Sequence, residues 1–329
     1  MAWAPNVPGS SAGNLTHSLD AFLRVFSGET VAAYNKATLI KDKLRSRNIT
    51  SGKSATFPTI STSSAKLHTP GDDLFTAGSG NTYAPSITND EKIIQINKLL
   101  IDTSFVDNLD EMMNHFDARS EYAAQMGAAL AVAGDQWSLG ALTRGSGTTL
   151  TATGTYANAI AGTTDGNAVI KEGLKAAANS MDTAGVPKQG RYAVLSPLSF
   201  YGFMEDDAVM SSDFGAGGNR AAGDVGKLHY LGFELISSAI WADGFMGAAG
   251  TTGSGEVLEG LDGRATYDVA LLKVYGVAFH SDAAGCVSLK GLTTETSWIP
   301  ERQGNLLVAK QAIGIDILRP TSSILLKGA

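Results

Sequence analysis

Apolar residues recur at helical spacing in the stretch "LTHSLDAFLRVFSGETVAAY", where Leu19, Phe22, Leu23 and Phe26 would line one face until Gly28 interrupts it. From Ala37 the rhythm changes. In "KDKLRSRN" the cations Lys41, Lys43, Arg45 and Arg47 alternate with Asp42, Leu44, Ser46 and Asn48, which predicts a strand with four cations on one face. Two extended segments follow, Ser54–His68 and Glu91–Asp102, separated by a stretch rich in turn residues, "TPGDDLFTAGSGNTYAPSITND". Ile94 and Ile96 give the clearest alternation, but neither arm carries enough large apolar residues for a core strand pair. The pattern predicts a long hairpin that projects from the body, and a lone hairpin is marginal in water, so it needs a partner surface.

The strongest periodicity comes next, in "DNLDEMMNHFDARSEYAAQMGAALAVAGDQW". Leu109, Met112, Met113, Phe116, Ala123, Met126, Leu130 and Trp137 form one stripe. Asp107, Asp110 and Glu111 fall in the expected first turn, where they complement the helix dipole. A helix continuous to Leu142 would be on the order of 50 Å long, the length of a structural spine. The low-complexity run from Gly145 to Gly166 reads as an exposed connection. An α/β section follows: a helix over "NAVIKEGLKAAANSMDTA", a strand "RYAVLS", a helix opening at Pro197, a glycine-rich loop (Gly215–Gly226) and a strand "GFELISS". Closing strands are predicted near Tyr267–Phe279, Cys286–Trp298, Leu306–Ile317 and Ser322–Leu326.

Charge narrows the function. With 25 basic and 32 acidic residues among 329, the net charge is −7, against a surface that grips nucleic acid but compatible with one that encloses it. No apolar run approaches membrane-spanning length, and the opening "MAWAPNVPGSSAGN" reads as a polar tail, not a secretion signal. The one cysteine, Cys286, excludes an intramolecular disulfide framework and fits a reducing compartment; beside Gly285 and Val287 it reads as a small buried hydrophobe.

The chain offers little catalytic chemistry. "SGKSATFP" ends like a phosphate-binding loop, but Arg47 stands where the first glycine belongs, and the β-branched run with Pro58 predicts strand instead of helix. His17, His68, His115, His229 and His280 lack metal-ligand spacing, "GAGGNR" puts Arg220 at the third glycine of a dinucleotide fingerprint, and no nucleophile elbow occurs. The acids Asp107, Asp110, Glu111, Asp117 and Glu121 read as the polar face of the spine helix. No catalytic, cofactor or metal site is expected.

Several strings taken in order carry a resemblance. "FLRVFSGETVAAYNKA", "SGKSATFP" and "MNHFDARSEYAAQMGAALA" resemble the amino-terminal half of major capsid proteins from T-seven-like short-tailed phages (podoviruses of the autographivirus branch). "RYAVLSPLSFY", "LGFELISS" and "IDILRPTSSILLKG" resemble the second half of the wider Hong Kong 97 capsid fold. That resemblance implies an α+β chain with an N-terminal arm (1–47), an extended E-loop lying across a neighbouring subunit (48–101), a peripheral domain with the spine helix (102–165), an axial domain (166–280) and peripheral strands (281–329). It implies hexamers and pentamers closing an icosahedral shell around a scaffolding protein, with a portal at one vertex. Double-stranded DNA is then enclosed without sequence-specific binding, and the shell is assembled in the host cytoplasm with no membrane partner. No lysine–asparagine cross-linking pair is identifiable, so locking is expected to be non-covalent. Gly52 would bend the chain at the base of the E-loop.

Two other readings stand beside this one: an encapsulin-like nanocompartment shell of the same fold, and a nucleotide hydrolase resting on "GKS" alone. Within the shell reading, the run Lys41, Lys43, Arg45 and Arg47 is expected to meet carboxylates of an adjacent subunit, with Asp107, Asp110 and Glu111 as first candidates. The alternative for such a run is a solvated face worth about 0–1 kcal/mol per ion pair.

Overall fold

The computed structural model describes residues 14–60, 65, 67–68, 70, 89–97, 99–107, 118–151, 164–204, 228–238, 240 and 274–327. The described part of the fold is built on four α-helices and two sheets, with a short hairpin laid against one sheet.

Helix α1 (Asn14–Ala37) runs through Gly28, beside which there is open space for a side chain. Phe26, Thr30 and Tyr34, spaced four apart, are buried along one face. They meet Ala123, Met126, Leu130 and Ala131 of helix α2 (Ala118–Arg144). The two backbones close on Gly127, where a Cβ would lie 2.5 Å from the Thr30 carbonyl oxygen. With 27 residues, α2 spans roughly 40 Å. It does not begin at Asp107, which instead ends a strand. Leu109, Met112, Met113 and Phe116 lie outside the described residues.

A four-stranded sheet has the order β1 (Arg45–Asn48), β10 (Ala284–Ile299), β11 (Gly304–Ile317), β4 (Leu100–Asp107). Strands β10 and β11 form one long antiparallel hairpin; β1 joins it in parallel and β4 antiparallel. Alternation sorts β11 into two faces. Leu307, Ala309, Ile313 and Ile315 are buried in clusters that include α2 residues, while Ala312 joins a different cluster with the hairpin of β2 (Ser54–Ile60) and β3 (Asn89–Gln95). Ala55, paired with Ile94, packs with Phe57 and Ile96 against Val287, Ala312 and Leu318. Gly314 admits the hairpin: a Cβ there would lie 2.7 Å from the Gln95 carbonyl oxygen. The expectation that this hairpin lacks a core is therefore corrected at its base. Four apolar residues that are too few for a free pair suffice once the chain's own sheet supplies the other half of the core. Gly52 takes φ +98° just before β2, as a bend there requires.

The second sheet has six strands in the order β5 (Thr148–Thr151), β12 (Ser323–Lys327), β9 (Val274–His280), β6 (Arg191–Leu195), β8 (Phe233–Ser237), β7 (Leu228–Tyr230). Helices α3 (Thr164–Thr183) and α4 (Pro197–Met204) contribute Ile170, Leu174, Met181, Phe200 and Phe203 to a core with Leu195, Phe233, Leu235 and Tyr275. A separate core joins Val194, Val277 and Phe279 to Trp137, Leu139 and Leu142 of α2. Thr148–Thr151, read as part of an exposed connection, is an edge strand parallel to β12. No described helix is long and apolar enough to cross a membrane.

Candidate subunit-interface site

The cationic run folds as two pieces. Lys41–Lys43 form a 3₁₀ turn, and only Arg45–Asn48 are strand. The four cations therefore do not share one strand face. Alternation misleads here because Ile40 and Leu44, four apart, are both buried in the core that also holds Val194, Val277 and Phe279 of one sheet and Cys286, Ile313 and Ile315 of the other. A helical turn brings both to the same side.

Asp135 of α2 fixes that turn. It is 1% exposed, and its two oxygens accept the backbone N–H groups of Leu39 (2.8 Å), Ile40 (3.1 Å) and Lys41 (2.8 Å). Burial pushes its carboxyl above the usual carboxylate range; the three N–H donors oppose that shift, and nearby Asp42 adds to it. Asp135 was not singled out by the sequence reading, although a lone acid in the small and apolar stretch "AVAGDQWSLG" is a signal for a buried acceptor.

Each cation has a partner in its own chain. The Lys41 ammonium donates to the Tyr34 hydroxyl and lies over that ring. Lys43 reaches Glu234 Oε1 on β8 at 3.3 Å and sits 5.0 Å from the Tyr192 ring centroid on β6. Arg45 lies 5.8 Å from the ring centre of Phe57, and Arg47 Nη1 donates to the Thr56 carbonyl, both on β2. Arg45 and Arg47 stay exposed. The run thus touches helix α2, the six-stranded sheet and the hairpin base.

The acidic half of the expected site lies elsewhere. Asp107 ends β4 opposite Gly304, which pairs with Ile299, whereas Arg47 pairs with Val287 on the same β10. Roughly 40 Å of strand separates the two registers, so one chain does not bring them together. Asp110 and Glu111 lie outside the described residues, as do Asp117, His17's side chain, His115 and the Gly215–Gly226 loop.

Elsewhere among the described residues the polar groups singled out in the sequence have structural roles. Ser51–Lys53 are exposed bends followed by β2, where a phosphate-binding loop would need a helix. His280 accepts the Asp282 N–H at Nδ1 (3.1 Å) and reaches the Gln189 carbonyl through Nε2 (2.9 Å). Among the described residues no group of three or more His, Cys, Asp or Glu could hold a metal. Cys286 is buried, and burial raises its thiol pKa, away from reactive thiolate.

Residues 56–327 match the model of the Gp10A-like family, described as major capsid protein. The chain is 29% identical over 323 residues to the major capsid protein of Escherichia phage T7, covering 93% of this chain and 91% of that protein. Among solved structures it resembles the capsid of the cyanophage P-SCSP1u (29% identity, TM-score 0.66, 89% of this chain and 88% of that one). It also shares the fold of the mature capsid of bacteriophage PhiM1 (19% identity, TM-score 0.64, 89% and 87% coverage).

Proposed function

Since the chain belongs to the Gp10A-like family of major capsid proteins, we propose that its copies close an icosahedral shell as hexamers and pentamers around double-stranded DNA held without sequence-specific contacts. It is a T7-like phage capsid protein with the Hong Kong 97 fold, and its place is the virion. The observation that carries the reading is the family match, which extends from β2 to β12 and so over all of the six-stranded sheet and three of the four strands of the other. The net charge of −7 suits a lining that must not trap the packaged nucleic acid.

In this reading residues 1–47 form the arm, 48–101 the E-loop, 102–165 and 281–329 the peripheral domain, and 166–280 the axial domain. The last strand, β12, crosses back to the six-stranded sheet. A scaffolding protein and a portal join during assembly in the host cytoplasm, and the chain performs no catalysis. Arg45 and Arg47, the exposed pair of the cationic run, are the first candidates to meet carboxylates of a neighbour; Lys41 and Lys43 would reach one only beyond their partners within the chain. An encapsulin-like shell would share the fold but would not be filled with nucleic acid. The test is electron microscopy of the expressed chain with and without its scaffolding protein. Closed shells are expected with scaffold, and a chain that stays unassembled in both conditions would overturn the reading.

A further inference from the structure

The segment 39–47 has an unusual position. Its backbone is clasped by Asp135 of α2, and its apolar residues Ile40 and Leu44 fill the core shared by the two sheets. Its far end is β1, hydrogen-bonded along β10 from Gly285 to Ser288, with the Arg45 N–H also donating to the Ser281 carbonyl at 3.1 Å. Between these fixed ends the Lys43 side chain reaches Glu234 on β8 and lies over the Tyr192 ring on β6, whose centre is 5.6 Å from that of Phe279 on β9 with the two planes tilted by 35°. The Lys43 and Glu234 side chains are 33% and 20% exposed, so the pair is partly open to solvent ions, while Ile40, Leu44 and the Asp135 clasp are buried.

We propose that residues 39–47 form a strap that sets the angle between the four-stranded and six-stranded sheets, with the Lys43–Glu234 pair as its adjustable end, and that this angle selects the curvature of the shell. The inference rests on the shell-forming reading above. Its physical basis is geometric. The strap is a short segment that contacts helix α2, both sheets and the hairpin base. A small rotation between two rigid sheets repeats in every subunit, so a weak contact at their junction acts on shell radius out of proportion to its effect on one chain. Two alternative junction states differing slightly in angle would accommodate different local curvatures without refolding either sheet.

The test uses the full chain expressed with its scaffolding protein, and reads particle diameter by electron microscopy together with the melting temperature of unassembled protein. Lys43→Glu and Glu234→Lys should each leave the melting temperature within a few degrees of the unmodified chain but shift or broaden the diameter distribution. The double exchange, which restores opposite charges, should return it. Lys43→Met, which keeps the aliphatic stem over Tyr192, should give the same broadened distribution, and raised salt should broaden the unmodified chain's distribution in the same direction. Single reversals that build shells of unchanged diameter would overturn the strap proposal while leaving the shell reading intact. A double exchange that fails to correct a defect of the singles would do the same. If the unmodified chain built no shells, both would fall.

Discussion

Strand β9 buries all of its residues from Val274 to His280, whereas β4, of similar length, leaves Ile101, Thr103 and Phe105 exposed. The contrast follows from what covers each sheet. The six-stranded sheet has α3 and α4 packed into one core and the end of α2 into another. The four-stranded sheet has helices on one side, but on the other the hairpin base packs with Ala312 and Gly314, leaving the part of that face near Phe105 and Ile101 uncovered. The six-stranded sheet therefore holds its stabilising contacts within one chain, and the four-stranded sheet is completed within the chain over part of its outer face.

The largest expected effect tests the closed region. Phe279 is fully buried between Tyr192 and the α2 core, so Phe279→Ala should lower unfolding free energy by about 3–5 kcal/mol in urea titration of unassembled protein. Phe105→Ala, at 37% exposure, should cost only about 1–2 kcal/mol by the same measurement. Equal costs would erase the distinction between the sheets. A smaller effect comes from overfilling. A Cβ at Gly173 would collide with the Tyr275 hydroxyl, which donates to the Val169 carbonyl at 3.3 Å and whose ionisation burial opposes. Gly173→Ala should therefore cost about 1–3 kcal/mol in the same titration. Gly28→Ala, at an exposed helical position with open space around it, should leave stability equal or raise it by up to about 1 kcal/mol. Loss of stability at Gly28 would show that α1 is less open than its surroundings indicate.

The smallest effect is on pH dependence at the rim of the closed sheet. The Arg191 guanidinium, 1% exposed, donates to Asp182 Oδ1 at 2.7 Å, and this hydrogen bond holds the Asp182 carboxyl below its ordinary value of 3.8. A depressed carboxyl contributes stability that is present above the unfolded-state value and is lost as pH falls through the folded one. Thermal unfolding followed from pH 7 down to pH 2 should thus steepen below about pH 4 in the unmodified chain and less so in Asp182→Asn. Superimposable profiles would remove Asp182 from the account.

Legibility in the sequence divides along the same line. The α/β section was readable because its helix and strand signals are local: the stripe of α3, Pro197 opening α4, and the apolar runs of β6 and β8 coincide with the structure to within a few residues. The hairpin base was not readable as core, because half of its core is contributed from Val287, Ala312 and Leu318, more than 190 positions away along the chain. The cationic run was misread because every second residue is charged while every fourth is buried, and the tertiary core at Ile40 and Leu44 decides between the two periods. Asp135 shows in the sequence only as a lone acid in an apolar stretch, and the three backbone donors that define its role carry no side-chain signature. The edge strand Thr148–Thr151 escaped because a threonine-rich run reads equally as connection or strand until β12 lies beside it.

The parallel pairing of β1 with β10, and the pairing of β4 with β11, also fix an order of events during synthesis. Strands β1 and β4 are made well before the two strands they join, β10 and β11. At about 5–20 residues per second, β4 waits roughly 10–40 s for residues 304–317. During that interval α1 and α2 are both made and can pack on each other, but neither strand has its native neighbour. Arg45, Arg47, Asp102 and Asp107, interleaved with the strands' other residues, make those waiting edges poor templates for a second nascent chain. These charges thus act before the fold is complete, keeping its unfinished edges apart.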